Sequence, residues 1–148
     1  MNMKKNNLGF TIIELLVVIA IIGVLAAIVL INVTRYIDKG KDSAAQGDLG
    51  TLFTNAITFY NENGDFNGVT SDADYANVVA GLESDKMSYD VVNTCSDSSG
   101  CTNDDDADWC AAVDLKSTAD TAYCVDSSGN KKLYSGTAAA ACVDGACQ

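Results

Sequence analysis

The sequence predicts an α+β protein, in which one long amino-terminal helix packs on a small antiparallel β-sheet head linked by disulfides. Three observations lead to this fold class. An apolar run near the amino terminus passes into a segment with helical periodicity, short strand-like segments follow it, and all six cysteines come after residue 94. Intervals of three and four residues between apolar side chains are typical of helices, and strict alternation is typical of strands.

The apolar segment extends from Phe10 to Ile31, and its only clearly polar side chains are Thr11 and Glu14. As a helix it would be about 33 Å long, which is enough to cross a hydrocarbon core of ~30 Å. A buried helix of a soluble domain is the alternative, but the segment is apolar on every side. It is also longer than the apolar core of a secretory signal peptide, and no small-residue cleavage site follows it. We therefore expect residues 10–31 to be a retained membrane anchor.

The same helix is predicted to continue as an amphipathic segment over residues 32–63. Charged side chains such as Asp38, Asp42 and Asp48 fall between its apolar positions. Gly64 suits a left-handed cap, so the helix should end near residue 63, after a length of about 80 Å. The apolar positions recur at intervals of three and four and are Val33, Ile37, Ala44, Ala45, Leu49, Leu52, Phe53, Ala56, Ile57 and Tyr60.

Residues 64–148 are predicted to form the head. Asp72 or Ser71 is a suitable N-cap for a short helix that reaches Leu82. Four strand-like segments follow, and a short loop between the second and third favours a hairpin. Together they predict a small antiparallel sheet laid on the long helix. The predicted strands are 89–93, 109–115, 122–126 and 132–134.

The six cysteines are expected to form three disulfides, because an even number in one region beside a membrane segment is typical of an oxidising compartment. A metal site made only of cysteines is the alternative, but only the last two cysteines approach the close spacing that such a site needs. Disulfides would contribute much of the stability of a head with a thin core. We predict local pairing, and the predicted hairpin brings two of the cysteines together. The predicted pairs are Cys95–Cys101, Cys110–Cys124 and Cys142–Cys147.

The charge balance excludes several classes of function. The chain has 20 acidic and nine basic residues, a net charge of −11, and no histidine. A protein this acidic should repel phosphate backbones, so general nucleic-acid binding is not expected. Without histidine the chain lacks the commonest general base and the commonest metal ligand. We therefore predict neither an enzyme nor a bound cofactor.

One acidic loop, Asn103–Asp108, is a weak candidate for calcium binding. Carboxylate oxygens are ligands that Ca²⁺ prefers, but the twelve-residue EF-hand loop with its glycine and terminal glutamate is absent. A solvated surface loop is therefore the favoured interpretation, and no metal site is predicted. The candidate ligands are Asp104, Asp105, Asp106 and Asp108.

The amino terminus resembles that of type IV pilins and their pseudopilin relatives. The resemblance rests on Lys4-Lys5, then Gly9-Phe10-Thr11, then Glu14-Leu15-Leu16 at the start of the apolar run. It implies a leader over residues 1–9, cleavage between Gly9 and Phe10 by a prepilin peptidase, and N-methylation of Phe10 by the same enzyme. It also implies storage in the membrane, followed by assembly of a helical homo-oligomeric filament at an inner-membrane platform.

Glu14 is a costly residue for a membrane helix, because a charge at the bilayer centre costs ~2.5–3.5 kcal/mol on insertion scales. The resemblance implies that Glu14, beside Thr11, meets the new ammonium of Phe10 on a neighbouring subunit. The alternative is that Glu14 reaches the cytoplasmic interface as an isolated charge. Three small residues at helical spacing favour a packing face between helices. They are Ala20, Gly23 and Ala27.

The function predicted from the resemblance is that of a structural subunit of a type IV pilus or pilus-like filament. A pseudopilin of a type II secretion system is the second possibility, and an anchored binding domain that does not polymerise is the third. The charged residues on the two sides of the apolar segment are nearly balanced, so they do not fix its orientation. The cysteines need the oxidising side, which predicts a cytoplasmic amino terminus and a head outside. The chain has no proline, whereas many major pilins have one near the position of Ile31.

Overall fold

The computed structural model describes residues 10–95 and 108–148, apart from the side chain of Ile31. The chain divides between Ile37 and Asp38 into two compact units, and the longest helix contributes to both. The α+β class is confirmed by one long helix and a four-stranded antiparallel sheet. The helices are α1 (Ile12–Asn63), a 3₁₀ turn (Val69–Ser71), α2 (Ala73–Glu83) and α3 (Ala138–Ala141), and the strands are β1 (Val91–Cys95), β2 (Trp109–Asp114), β3 (Thr121–Asp126), β4 (Lys131–Ser135), β5 (Cys142–Val143) and β6 (Ala146–Cys147).

Two predicted helix boundaries are confirmed, the end of α1 and the start of α2. The backbone of Gly64 has a φ of 92°, and its N–H donates to the carbonyl of Tyr60 at 2.7 Å, so a left-handed residue follows the last turn of α1. Such a conformation carries no Cβ penalty in glycine. The Asp72 carboxylate accepts the N–H groups of Asp74 and Tyr75, which makes it the N-cap of α2 as predicted.

The sheet has the order β1-β2-β3-β4, with every neighbouring pair antiparallel. The four predicted strands agree with the observed ones to within two residues at each end. The predicted hairpin is β2–β3, in which Ala112 lies opposite Cys124 and Cys110 lies opposite Asp126. Because side chains alternate along a strand, Cys110, Ala112 and Cys124 share one face of the sheet.

The other face of the sheet packs on α1 within the second unit. Trp109 is fully buried there, and its indole N–H donates to the hydroxyl of Tyr75 at 3.1 Å. A buried indole N–H needs a hydrogen-bond partner, and Tyr75 supplies it. The α1 residues in this core are Ala45, Leu49, Leu52 and Ala56, and the sheet residues are Val91, Cys95, Trp109, Ala111, Val113 and Val125.

Two of the predicted disulfides are wrong. Cys110 bonds Cys142, and Cys124 bonds Cys147. Cys142 and Cys147 lie opposite each other in the β5–β6 ribbon, so each reaches across to a different strand of the sheet. Local pairing failed because the carboxyl-terminal segment folds back over the sheet, which the spacing of the cysteines does not reveal.

These disulfides enclose a second, smaller core. Ala138 and Ala141 of α3 are buried with Ala112 and Ala122 between the ribbon and the sheet. The sulfurs of Cys110, Cys124 and Cys142 lie within 4.8 Å of one another, but each belongs to a disulfide and is not a thiolate ligand. Cys95 is also disulfide-bonded. Its predicted partner, Cys101, lies outside the described residues, so that pairing stays a prediction.

Asp42 of α1 is hydrogen-bonded to the loop between β2 and β3. Its side chain is buried, and it accepts hydrogen bonds from the Tyr89 hydroxyl at 2.6 Å and from the N–H groups of Lys116 and Ser117, both at 2.8 Å. Burial alone raises the pKa of Asp42, but the hydrogen bonds from Ser117, Tyr89 and Lys116 outweigh it and lower that pKa below its usual value. The helical pattern places Asp42 among the charged positions, and nothing in the pattern distinguishes it as a buried group.

Candidate functional site

The helix α1 begins with a capping box. Thr11 is the N-cap, and Glu14 is the third residue of the helix. The backbone N–H of Thr11 donates to Glu14 Oε2 at 2.9 Å, and the backbone N–H of Glu14 donates to Thr11 Oγ1 at 3.2 Å. The Thr11 hydroxyl also donates to Oε2 at 2.8 Å. This reciprocal pattern satisfies two N–H groups that a helix start otherwise leaves unpaired.

The capping box changes the interpretation of Glu14. A carboxylate in the first turn is stabilised by the positive end of the helix dipole, in addition to its hydrogen bonds. Both hydrogen bonds to the carboxylate end on Oε2, and Oε1 accepts none from the described residues. Glu14 therefore has a local structural role and still offers one oxygen to a further partner. The T-x-x-E spacing itself is the signal that reveals this role.

The first unit presents an apolar surface on every side. Each described side chain from Phe10 to Ile37 is exposed, and Phe10 itself is 82% exposed. By length and composition, α1 contains a segment that is able to cross a membrane. Apolar surfaces of this extent mark contacts with a membrane or with other protein chains. The amino-terminal helix thus supports membrane anchoring and contact with partners.

The predicted packing face lies on this exposed part of α1. Ala20, Gly23 and Ala27 are all exposed, and a Cβ atom built at Gly23 would meet no atom within 4 Å. A shallow apolar depression of about 310 Å³ is lined by Ala20, Ile21, Val24 and Leu25. Only Ala20 of the three small residues lines it, so their role as one packing face stays a prediction.

Several predicted site residues lie outside the described residues. They include the leader residues Lys4, Lys5 and Gly9 and three of the four calcium candidates. The fourth, Asp108, accepts a hydrogen bond from the Ser127 hydroxyl at 3.4 Å. Calcium binding by this loop therefore stays untested. The three calcium candidates outside the described residues are Asp104, Asp105 and Asp106.

Comparison with known proteins finds a family model at the start of the chain, which includes the first part of this helix. The model of the prokaryotic N-terminal methylation motif matches residues 4–30. The type IV major pilin protein PilA of Myxococcus xanthus is 37% identical over 73 residues, which cover 49% of this chain and 33% of the relative. The type IV major alpha-pilin of Moraxella bovis is 51% identical over 49 residues, or 33% of this chain and 29% of the relative.

A secretion protein shows similarity of the same extent. The type II secretion system core protein G of Pseudomonas aeruginosa is 41% identical over 49 residues, which cover 33% of this chain and 34% of the relative. The chain spans about a third of the length of the curated relatives it matches. No solved structure shows a significant match to it. The chain thus carries the prokaryotic N-terminal methylation motif, and up to about half of it is similar to type IV pilins and to a type II secretion core protein.

Proposed function

We propose that this chain is a prepilin, the precursor of a structural subunit that polymerises into a type IV pilus or pilus-like filament. The observation that carries the proposal is the capping box of Thr11 and Glu14 at the start of the exposed apolar segment of α1, directly after the expected cleavage position in the methylation motif. The role is structural, and no catalytic chemistry is assigned to the chain.

Processing creates the charge that assembly needs. A prepilin peptidase would remove the basic leader, residues 1–9, by cutting between Gly9 and Phe10, and would then methylate the new amino group. The cleavage converts a neutral peptide nitrogen on Phe10 into an ammonium. The exposure of Phe10 supports access to that position.

The ammonium of Phe10 is proposed to meet Glu14 on the neighbouring subunit. Oε2 stays with the capping box, and Oε1 is the oxygen that has no partner among the described residues. A buried ion pair offsets the desolvation of both charges, whereas the loss of one partner costs about 3–5 kcal/mol. Oε2 of Glu14 would thus cap the helix of its own subunit, and Oε1 would bind the ammonium of the neighbouring subunit.

The remaining organisation follows from this role. Residues 10–31 would hold the subunit in the membrane and then form the filament core, residues 32–63 would continue the helix, and residues 64–148 would form the head. The disulfides of the head favour an oxidising compartment outside the cytoplasmic membrane. The amino terminus would face the cytoplasm, where the peptidase and the assembly platform act.

The experiment is co-expression of the chain with a prepilin peptidase and an assembly platform, followed by electron microscopy of sheared filaments. Glu14→Gln keeps an acceptor for the capping box but removes the charge, so we expect filament yield to fall at least about tenfold. Glu83→Gln, a change at an exposed glutamate of α2, is the matched control and should assemble like the wild type. Mass spectrometry should find a mature chain that begins at N-methylated Phe10.

Two results would overturn the proposal. An intact amino terminus in membranes that hold active peptidase would contradict the processing step. Failure of the processed wild-type chain to form any filament would favour the third possibility, an anchored domain that does not polymerise, because the capping box alone gives Glu14 a use in a simple anchor. Equal assembly by wild type and Glu14→Gln would contradict the proposed ion pair and leave Glu14 with its role as a helix cap.

A pseudopilin of a type II secretion system is the second candidate. The similarity to core protein G is the observation that favours it, since its identity and coverage resemble those of the pilins. The two candidates differ in the machinery that assembles the chain. Paired expression with a pilus platform and with a secretion platform, scored by filament yield, would distinguish them.

A further inference from the structure

The strand β4 forms an exposed edge of the sheet and carries a projecting apolar side chain directly after two lysines. It is the last strand in the order of the sheet, and Lys131, Lys132 and Leu133 are all exposed. Leu133 is 65% exposed, which is unusual for a large apolar side chain in the second unit. The ammonium of Lys131 lies 5.2 Å from the centre of the Phe53 ring on α1. The cationic edge therefore lies along one flank of that helix.

The opposite flank of α1 carries an acidic groove. The groove has a volume of about 280 Å³ and is lined by Asn55, Thr58, Phe59, Glu62, Asp72 and Asp74. Its aromatic side chain, Phe59, is half-buried, and the carboxylates of Glu62 and Asp74 are exposed. Asp72 differs from these two, because it is engaged as the N-cap of α2.

The charges on the two flanks have no ionic partner within the described residues. Lys131 contacts the Phe53 ring, and neither Glu62 nor Asp74 has an ion pair or a side-chain hydrogen bond there. The β4 edge is therefore cationic, the groove is acidic, and the charged groups of both are available for contact. Charge complementarity of this kind selects partners and orients them.

The geometry of the helix keeps the two surfaces apart within one chain. At about 100° per residue, Phe53 beside β4 and Asn55 beside the groove lie roughly half a turn apart on α1. A projection on one flank and a groove on the other cannot close on each other in a single copy. Two copies can join them head to tail, and the unused surfaces then remain open at each end. Such heterologous contacts extend into helical filaments when the rotation does not close a ring.

We propose that the β4 edge of one head docks into the acidic groove of a second copy of this chain. Leu133 lies against Phe59 of the second copy, and Lys131 faces Glu62 and Asp74 there. The contact joins heads and is separate from the pairing of Glu14 with Phe10. It rests on the proposed function, since it needs subunits that are arrayed in a filament.

Photo-crosslinking tests the contact directly in assembled filaments of the full chain. Benzoylphenylalanine in place of Leu133 should give dimers and longer ladders on a denaturing gel after irradiation. Peptide mapping should place the crosslink within residues 55–62 or 72–74 of another copy. The matched control is the same probe in place of Lys86, an exposed residue between α2 and β1, which should not crosslink to that groove.

A charge exchange provides the second measurement. Lys131→Glu should lower the yield of sheared filaments about fivefold, because it places like charges against each other. Asp74→Lys should lower the yield to a similar extent, and the double variant should recover most of it. Lys86→Glu changes the net charge equally and should leave the yield near that of the wild type.

The outcomes separate this contact from the proposed function. Filaments that crosslink from position 133 to any other surface, or only to lipid or to another protein, overturn the docking of β4 in the groove. A double variant that is weaker than both single variants does the same. A wild-type chain that is processed and supplied with its platform but gives no filament overturns the proposed function, and this contact with it.

Discussion

The two units of this chain are held together in different ways. Between Phe10 and Ile37 no described side chain is buried, and the helix depends on its own backbone bonds and on the capping box at its start. From Asp38 onward, a core lies on each face of the sheet, and two disulfides cross the second one. The first unit needs other molecules to cover its surface, whereas the second covers its own core.

The family model lies within the first unit, since it matches residues 4–30. In the proposed filament, this helix would pack against other copies of itself, which would constrain the side chains that it presents. A head with its own core keeps its fold under many sequences, provided that buried volume is retained. The contrast between the units predicts that changes in the head alter stability and changes in the first unit alter assembly.

The largest effect on the head is expected from removing one disulfide. Replacing Cys124 and Cys147 together by serine should lower the free energy of unfolding of the head by about 3 kcal/mol, because the unfolded chain regains the freedom of a 23-residue separation. Denaturant titration of the full chain in detergent, followed by tryptophan fluorescence, measures this change. Ser128→Ala, at an exposed turn, is the control. Loss of the α1 amino-terminal helix in the variant would contradict the independence of the two units.

The next effect concerns Asp42. Asp42→Asn should destabilise the head by about 2 kcal/mol at pH 7, since an amide cannot replace a carboxylate whose two oxygens each accept a backbone N–H. The pKa of Asp42 is lowered in the folded state, so its contribution is present above the unfolded pKa of about 3.9 and is lost as the pH falls through the folded value. Denaturant midpoints of the two proteins measure this contribution. The midpoint of the wild type should lie well above that of the variant at pH 7, and the difference should be smaller at pH 3.

The control for Asp42 is Asp48→Asn, a change at a half-exposed position of the same helix. It should leave the free energy of unfolding within about 0.5 kcal/mol of the wild type at both pH values. A gap between wild type and Asp42→Asn that stays constant with pH would show that the charge of Asp42 contributes nothing to the contact.

The smallest effect is expected at the start of α1. Thr11→Ala removes the N-cap and should weaken the first turn by about 1 kcal/mol, or roughly a fivefold rise in amide exchange. Hydrogen exchange of the amides of residues 12–15 in detergent micelles measures it. Thr51→Ala, an exposed change in the helix interior, should leave those amides unaffected. Unchanged exchange in Thr11→Ala would mean that the capping box does not stabilise the helix start.

Sequence patterns predict the elements of this protein better than its long-range contacts. The end of α1 at Gly64 and the N-cap at Asp72 follow from local chemistry, because each depends on residues within four positions. The β2–β3 hairpin follows from alternation and a short loop. In each case the signal and the structure involve neighbours in the chain.

The contacts that sequence patterns missed join distant residues. Asp42 bonds the backbone of Lys116 and Ser117, which lie more than 70 positions away, so no local period identifies it. The pairing of Cys110 with Cys142 depends on the return of the β5–β6 ribbon over the sheet. The Thr11–Glu14 capping box is the exception, since its T-x-x-E spacing is local and directly precedes an apolar run, which is a signal that sequence reasoning can use.

The disulfide between Cys110 and Cys142 also has a mechanical consequence. A pull applied between β2 and the carboxyl terminus passes through this covalent bond, so the segment between the two cysteines, which are 32 positions apart, cannot be drawn out. Fully extended, that stretch would release about 110 Å of chain. This part of the head therefore cannot lengthen under tension until a covalent bond breaks, which suits the proposed role as a subunit of a fibre.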